Sequence, residues 1–190
     1  MTTVALAGRR VDACGTTNSR FPRSATGSVE QRLYEYFNQK AIRHLIVSAA
    51  CGADLLALKA ADEAGISART IILPFSVEEF RHTSVVDRPG SWDDRRGVSS
   101  DWGKLYDRMI HAADAAGTLI LLGCVPGDKG AYTAATQRIV AEAARDGDEA
   151  RACVVWEGSA RGLIDHSNQL AQLANGRGWQ VDQIQTFPEP

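Results

Sequence analysis

The sequence predicts an α/β protein with a single doubly wound, mostly parallel Rossmann-like sheet and helices on both faces. Three observations carry that expectation. Short apolar runs recur along the chain, and most are continuous rather than alternating, as expected of parallel strands covered on both faces. Stretches with apolar residues at three- and four-residue spacing separate them, and glycine-bearing turns follow several of the runs. This alternation implies right-handed βαβ crossovers. A chain of 190 residues fits one domain over 1–190 and can bury a core without staples. It carries no internal repeat, low-complexity tract or linker.

The first strand is expected over Val4 to Ala7. The connection that follows, from about Arg9 to Gly27, exceeds the usual limit of roughly 12 to 15 residues for a loop without a role. It reads either as a cover for a site or as an insertion. Ser28-Val29-Glu30-Gln31 has capping-box form, with Ser28 as N-cap, and opens a helix that turns Leu33, Tyr34, Phe37 and Ile42 inward. A second strand over Leu45 to Ala49 leads into a helix that starts near Asp54, buries Leu55, Leu58 and Ala61, and stops at Gly65. The third strand spans Thr70 to Phe75, and Ser76 with Glu79 fits an S-x-x-E helix start.

A second long connection runs from about Val85 to Ser100, where Pro89-Gly90-Ser91 and Gly97-Val98-Ser99-Ser100 favour an insertion as much as a functional cover. From Asp101, residues Trp102, Leu105, Tyr106, Met109, Ile110 and Ala113 mark the clearest amphipathic helix, ended by Gly117. A strand over Thr118 to Leu122 and an alanine-rich helix from Ala131 to Arg145, ending at Gly147, come next. Ala152 to Trp156, a helix from Leu163 to Asn175 and a last strand over Trp179 to Phe187 complete the series.

Hydrophobic content of 44%, charged content of 23% and a formal charge of −2 describe an ordinary globular chain and argue against a general nucleic-acid binder. The local basic group Arg9, Arg10, Arg20 and Arg23 is either solvated loop charge or a cationic rim for an anion. The first residues show no signal-peptide pattern and no membrane segment, so a cytoplasmic protein is expected. The four cysteines have no C-x-x-C spacing, which speaks against a structural zinc site and a disulfide scaffold. No metal and no cofactor is expected. Cys153 reads as a small core residue; Cys14, Cys51 and Cys124 each follow a strand, as small turn residues or as thiols gathered near one crevice.

The chain lacks G-x-G-x-x-G, the P-loop pattern, the G-x-S-x-G elbow and H-E-x-x-H, which removes the usual dinucleotide, kinase, hydrolase and zinc-protease readings. Three turns remain: Ala7-Gly8-Arg9-Arg10, Ala49-Ala50-Cys51-Gly52-Ala53-Asp54 and Pro126-Gly127-Asp128-Lys129-Gly130-Ala131. Turns after parallel strands fall on one crevice, and their amides at helix N-termini attract anions, so a small-molecule nucleotide is the leading ligand. Gly127 and Gly130 permit close approach to phosphate, Lys129 offers a cation and Ala131 starts a helix. Gly52 allows tight passage, and Asp54 either caps the next helix or accepts hydrogen bonds from a ribose or base. Arg9 and Arg10 point opposite ways on an extended segment, so one is expected to serve the site and the other solvent.

With Ser48 to Asp54 and Leu73-Pro74-Phe75-Ser76-Val77-Glu78-Glu79-Phe80-Arg81, these turns resemble the SLOG superfamily over Val4 to about Trp156. That Rossmann-like group includes the Lonely Guy phosphoribohydrolases, the DNA-processing protein A domain and nucleotide-sensing domains of bacterial defence systems. The resemblance implies that the turns hold a nucleotide, with the late glycine loop around its phosphate, and that a homodimer forms. Trp102 and Tyr106, extending beyond the core stripe, are candidates for the dimer contact. The Lonely Guy pattern P-G-G-x-G-T-x-x-E ends in a catalytic glutamate, and register from Pro126 puts Ala134 there, with Asp128 and Ala131 also departing from it.

The resulting expectation is a nucleotide-binding protein, as a sensor or signalling module. The alternative is an enzyme acting on the N-glycosidic bond of nucleoside monophosphates, as in Lonely Guy proteins or deoxyribosyltransferases, with Glu78 as the candidate carboxylate. Glu79 reads as a helix-capping residue and His82 as a surface histidine. A DNA-handling role is disfavoured by the acidic balance.

Overall fold

In the computed structural model, which describes residues 2–13, 15–87, 102–146, 149–160, 162 and 164–187, the apolar runs form six parallel strands. They are β1 (Thr2–Gly8), β2 (Ile42–Val47), β3 (Ala68–Leu73), β4 (Leu119–Leu121), β5 (Glu149–Trp156) and β6 (Val181–Gln185), in the order β4-β3-β2-β1-β5-β6. The chain steps outward from β1 to β4, then returns to place β5 beside β1. The order therefore reverses between β1 and β5, where doubly wound sheets open a crevice at the carboxyl ends of the strands.

The helices are α1 (Thr26–Gln39), α2 (Ala53–Glu63), α3 (Val77–Ser84), α4 (Trp102–Ala115), α5 (Ala131–Arg145) and α6 (His166–Asn175). Side chains alternate across β1: Val4 and Leu6 join one core with Leu33, Leu58 and Tyr106, while Ala5 faces the other with Ile139 and Leu170. The two layers thus hold α1, α2, α3 and α4 on one face and α5 and α6 on the other. Burial on both faces explains the continuous apolar runs. Among the described residues, no helix is long and apolar enough to cross a membrane.

Several local expectations are corrected. A 3-10 turn at Arg23–Ala25 runs directly into α1, so the helix has begun before Ser28 and Ala25 is its N-cap. The Ser28 hydroxyl donates to Ala25 O at 3.0 Å, and Gln31 bonds to Glu35 instead of reaching back. Tyr36, rather than Tyr34, turns inward, donating to Asp182 at 2.9 Å. Ser76 does cap α3, its Oγ accepting from Glu79 N at 3.2 Å. Trp102 and Tyr106 are both buried inside the monomer, so neither offers the dimer contact that their spacing suggested. Tyr106 stacks on Phe80, its hydroxyl donating to Val77 O at 2.9 Å.

The first long connection is a packed segment rather than a loose insertion. Asp12 organises it: its Oδ2 accepts from Ser19 Oγ at 2.6 Å and from the amides of Arg20 and Phe21, each at 2.9 Å. Those bonds drive Phe21 into the core. Cys14, Gly147, Leu163, the start of α4 at Asp101 and the second long connection from 88 onward lie outside the described residues.

Candidate functional site

The first two turns are fastened to each other by backbone. Ala53 N donates to Arg9 O at 3.0 Å, Val11 N to Cys51 O at 3.1 Å, and Arg10 pairs with Gly52 as an antiparallel bridge. Cys51 N donates to Ser84 O at 3.0 Å, which ties in the end of α3. Gly8 and Gly52 make this closeness sterically possible. A Cβ on Gly8 would stand 2.3 Å from Ala53 Cβ and 2.7 Å from Val155 Cβ. On Gly52, at φ +120°, it would stand 2.6 Å from both Arg9 O and Val11 N. Gly52→Ala is therefore expected to cost roughly 1–3 kcal/mol in backbone strain. A denaturation midpoint unchanged from wild type would refute it.

Beside this junction lies a cavity of about 320 Å³, at the small end of the roughly 300–1,000 Å³ usual for ligand sites. Gly8, Arg10, Ser48, Ala50 and Asp54 line one side, at the carboxyl ends of β1 and β2 and the start of α2. Phe80 and Ser84 of α3, Tyr132, Ala135, Thr136 and Ile139 of α5, and His166 of α6 line the rest. Its walls are mainly apolar, with a few polar groups converging on the space. The Ser84 and Tyr132 hydroxyls are bonded to each other at 2.8 Å, and the Tyr132 ring meets His166 at 5.8 Å.

Asp54 is the buried carboxyl of this cavity. It sits in the first turn of α2, but Gly52 is the N-cap, and Asp54 Oδ2 instead accepts from the preceding Ala50 amide at 3.2 Å. The capping role expected for it is thus replaced by closure of the turn ahead of the helix. Burial pushes its pKa up to about 7, against the opposing pull of the Ala50 amide, the Arg10 charge and the Gly8 amide. A carboxyl that changes charge near neutrality inside a pocket can bind or move a proton.

The two arginines divide differently from the expectation. Arg10 lines the cavity, its Nη2 engaged by Asp87 and, at 3.4 Å, by Cys51 Sγ. Arg9 goes to neither the cavity nor solvent. It is buried between the ends of β1 and β5, with Nε 2.6 Å from Glu157 and Nη1 2.8 Å from Asp165, while Nη2 donates to Ser159 O at 2.7 Å. Arg20 pairs with the same Glu157. Burial alone would raise the Glu157 pKa, but the hydrogen bonds and charge of Arg9, with Arg20, outweigh it and hold the carboxyl below its ordinary value. This ion cluster sits where β1 and β5 end, and none of its residues lines the cavity.

The third turn stands apart from the cavity lining. Pro126, Gly127, Lys129 and Gly130 are exposed, and Ala131 is buried beneath them. Asp128 Oδ1 accepts from the Gly130 amide at 2.8 Å, so a carboxylate already occupies the helix start where a phosphate was expected. Of the sequence-derived candidates, Gly8, Arg10 and Asp54 line the cavity; Cys51 and Gly52 support it from behind. Glu78 is exposed on α3 and does not line it, nor does Ala134.

Ser84, Tyr132, Thr136 and His166 are polar lining residues that sequence reasoning did not single out. Tyr132 was within reach, because it lies in the first turn of a helix that follows a strand. Ser84 and His166 carry no local signal; they arrive through the packing of α3 and α6. Among the described residues, no group of three metal-ligating side chains converges, and the Cys51 and Cys153 thiols are buried. Family models and curated proteins give no match to this chain, so its functional reading rests on the geometry of the cavity.

Proposed function

We propose that this protein binds a nucleotide or nucleotide-derived metabolite in the cavity beside β1 and β2, as a sensor or signalling module. The observation that carries the reading is the cavity itself: an apolar, ring-walled space with Asp54, Arg10, Ser84 and Tyr132 converging on it at the carboxyl ends of parallel strands. Aromatic wall and polar floor suit a heterocycle with hydrogen-bonding edges, and Arg10 at the rim suits an anionic substituent. The proposed kinship with SLOG proteins rests on the same turns.

A panel of nucleosides and nucleotides read by thermal shift tests this. At least one member should stabilise the protein, since a ligand at 100 times its dissociation constant adds about 2.7 kcal/mol. Tyr132→Ala should abolish the response. A panel that shifts neither protein would overturn the proposal.

Asp54 favours a second reading, cleavage at an N-glycosidic bond, because a carboxyl titrating near neutrality could serve as acid or base there. Ribose 5-phosphate release from nucleoside monophosphates separates the two. The binding reading expects none, and turnover lost in Asp54→Asn would replace it with the enzyme.

A further inference from the structure

Asp54 meets the cavity as a carboxyl with no charged partner of its own. Its Oδ2 is satisfied by the Ala50 amide, and among the described residues no salt bridge reaches it. The charged and titratable groups around it are Arg10, from the loop after β1, with Asp87 and Cys51 behind that guanidinium, and Tyr132 and His166 across the space. Arg10 is shared with Asp87, and the Tyr132 hydroxyl is engaged with Ser84. Beyond the Ala50 and Gly8 amides and the charge of Arg10, a ligand in the cavity is where Asp54 finds further donors.

We propose that Asp54 reads the hydrogen-bonding edge of a heterocyclic base lying against Tyr132 and Phe80, and that the site prefers an edge with two adjacent N–H donors, as guanine presents. This rests on the nucleotide reading above and names its ligand class. An ionised carboxylate only accepts, and its two oxygens match a pair of parallel N–H groups. Adenine pairs a donor with a ring-nitrogen acceptor, which would set a lone pair against the carboxylate. In a mainly apolar cavity that mismatch is not relieved by water. The preference should weaken as Asp54 takes up a proton near neutrality, because a carboxylic acid offers one donor and one acceptor and so matches adenine. The late glycine loop lies outside the lining, so nucleosides without phosphate are sufficient probes.

Calorimetric titration of the full chain with guanosine, inosine and adenosine at pH 8 and pH 6 tests this. Guanosine should bind about tenfold or more tighter than inosine, which lacks the second donor, and than adenosine at pH 8. The gap should narrow at pH 6. Asp54→Asn keeps an oxygen for the Ala50 amide and offers the ligand a donor beside an acceptor, so it should reverse the preference toward adenosine. A purely supporting role for Asp54 would not produce that reversal. Equal binding of guanosine and adenosine, or an unchanged preference in Asp54→Asn, overturns the edge assignment and leaves the nucleotide reading standing. Binding of none of these and of no nucleoside monophosphate overturns both.

Discussion

Arg9→Ala should lose about 3–5 kcal/mol of stability at pH 7, because it leaves two buried carboxylates without their shared cation. Glu157 and Asp165 are 9% and 1% exposed in their side chains, and Arg9 meets them at 2.6 and 2.8 Å. The guanidinium also lies over the Trp156 ring at 5.7 Å, so truncation removes packing as well as charge. For a chain of this length the loss corresponds to a fall in melting temperature of roughly 10–15 °C. Its sign with pH follows from the depressed Glu157 pKa. That group stabilises the wild type above its unfolded value, and the contribution is lost as pH falls through the folded one. The gap between wild type and Arg9→Ala should therefore shrink toward pH 4, where the stranded carboxylates can take up protons. Arg9→Lys should fall between the two, keeping the charge but losing the forked geometry. Denaturant unfolding at pH 7 and pH 4 measures all three, and a loss below 1 kcal/mol in Arg9→Ala at pH 7 would refute the account.

Asp54→Asn is expected to move stability the other way. A carboxyl raised from 3.8 to about 7 makes the folded state bind more protons than the unfolded one across that window, so this group lowers stability as pH rises through it. Each pKa unit is worth about 1.4 kcal/mol, which sets the cost at pH 8 at up to about 4 kcal/mol. Asparagine carries no charge and retains an acceptor for the Ala50 amide. The variant should be more stable than wild type at pH 8, with the margin narrowing at pH 5. Thermal unfolding at the two pH values checks it; a variant less stable at pH 8, or a margin independent of pH, would show that burial of the charge is not what Asp54 costs the fold. Such a cost retained in a pocket is what a binding residue is expected to carry.

The sheet was legible in the sequence because its strands are buried on both faces. Val4 to Leu6, Leu45 to Val47 and Ala152 to Val155 are wholly apolar for that reason, and they mark themselves without knowledge of their partners. The amphipathic stripe of α4 was equally plain. Helix starts were less so: the capping pattern at Ser28 is real as a pattern, but a preceding 3-10 turn had already begun the helix. Gly8, Arg10 and Asp54 line one cavity, since strand ends in a parallel sheet share an edge.

What sequence alone determined is therefore the α/β class and the run of elements. Only the tertiary structure decided which neighbours face the open space. Arg9 and Arg10 are adjacent and chemically alike, yet acids that follow β5, 148 and more positions away, draw one into an ion cluster, while the other stays at the cavity. The late glycine turn has the composition of an anion cradle, but Asp128 takes the Gly130 amide. Ser84 and His166 enter through helices whose own residues give no hint of it. Such outcomes depend on long-range pairing of charge and on how helices pack across the sheet, and local spacing along a chain carries neither.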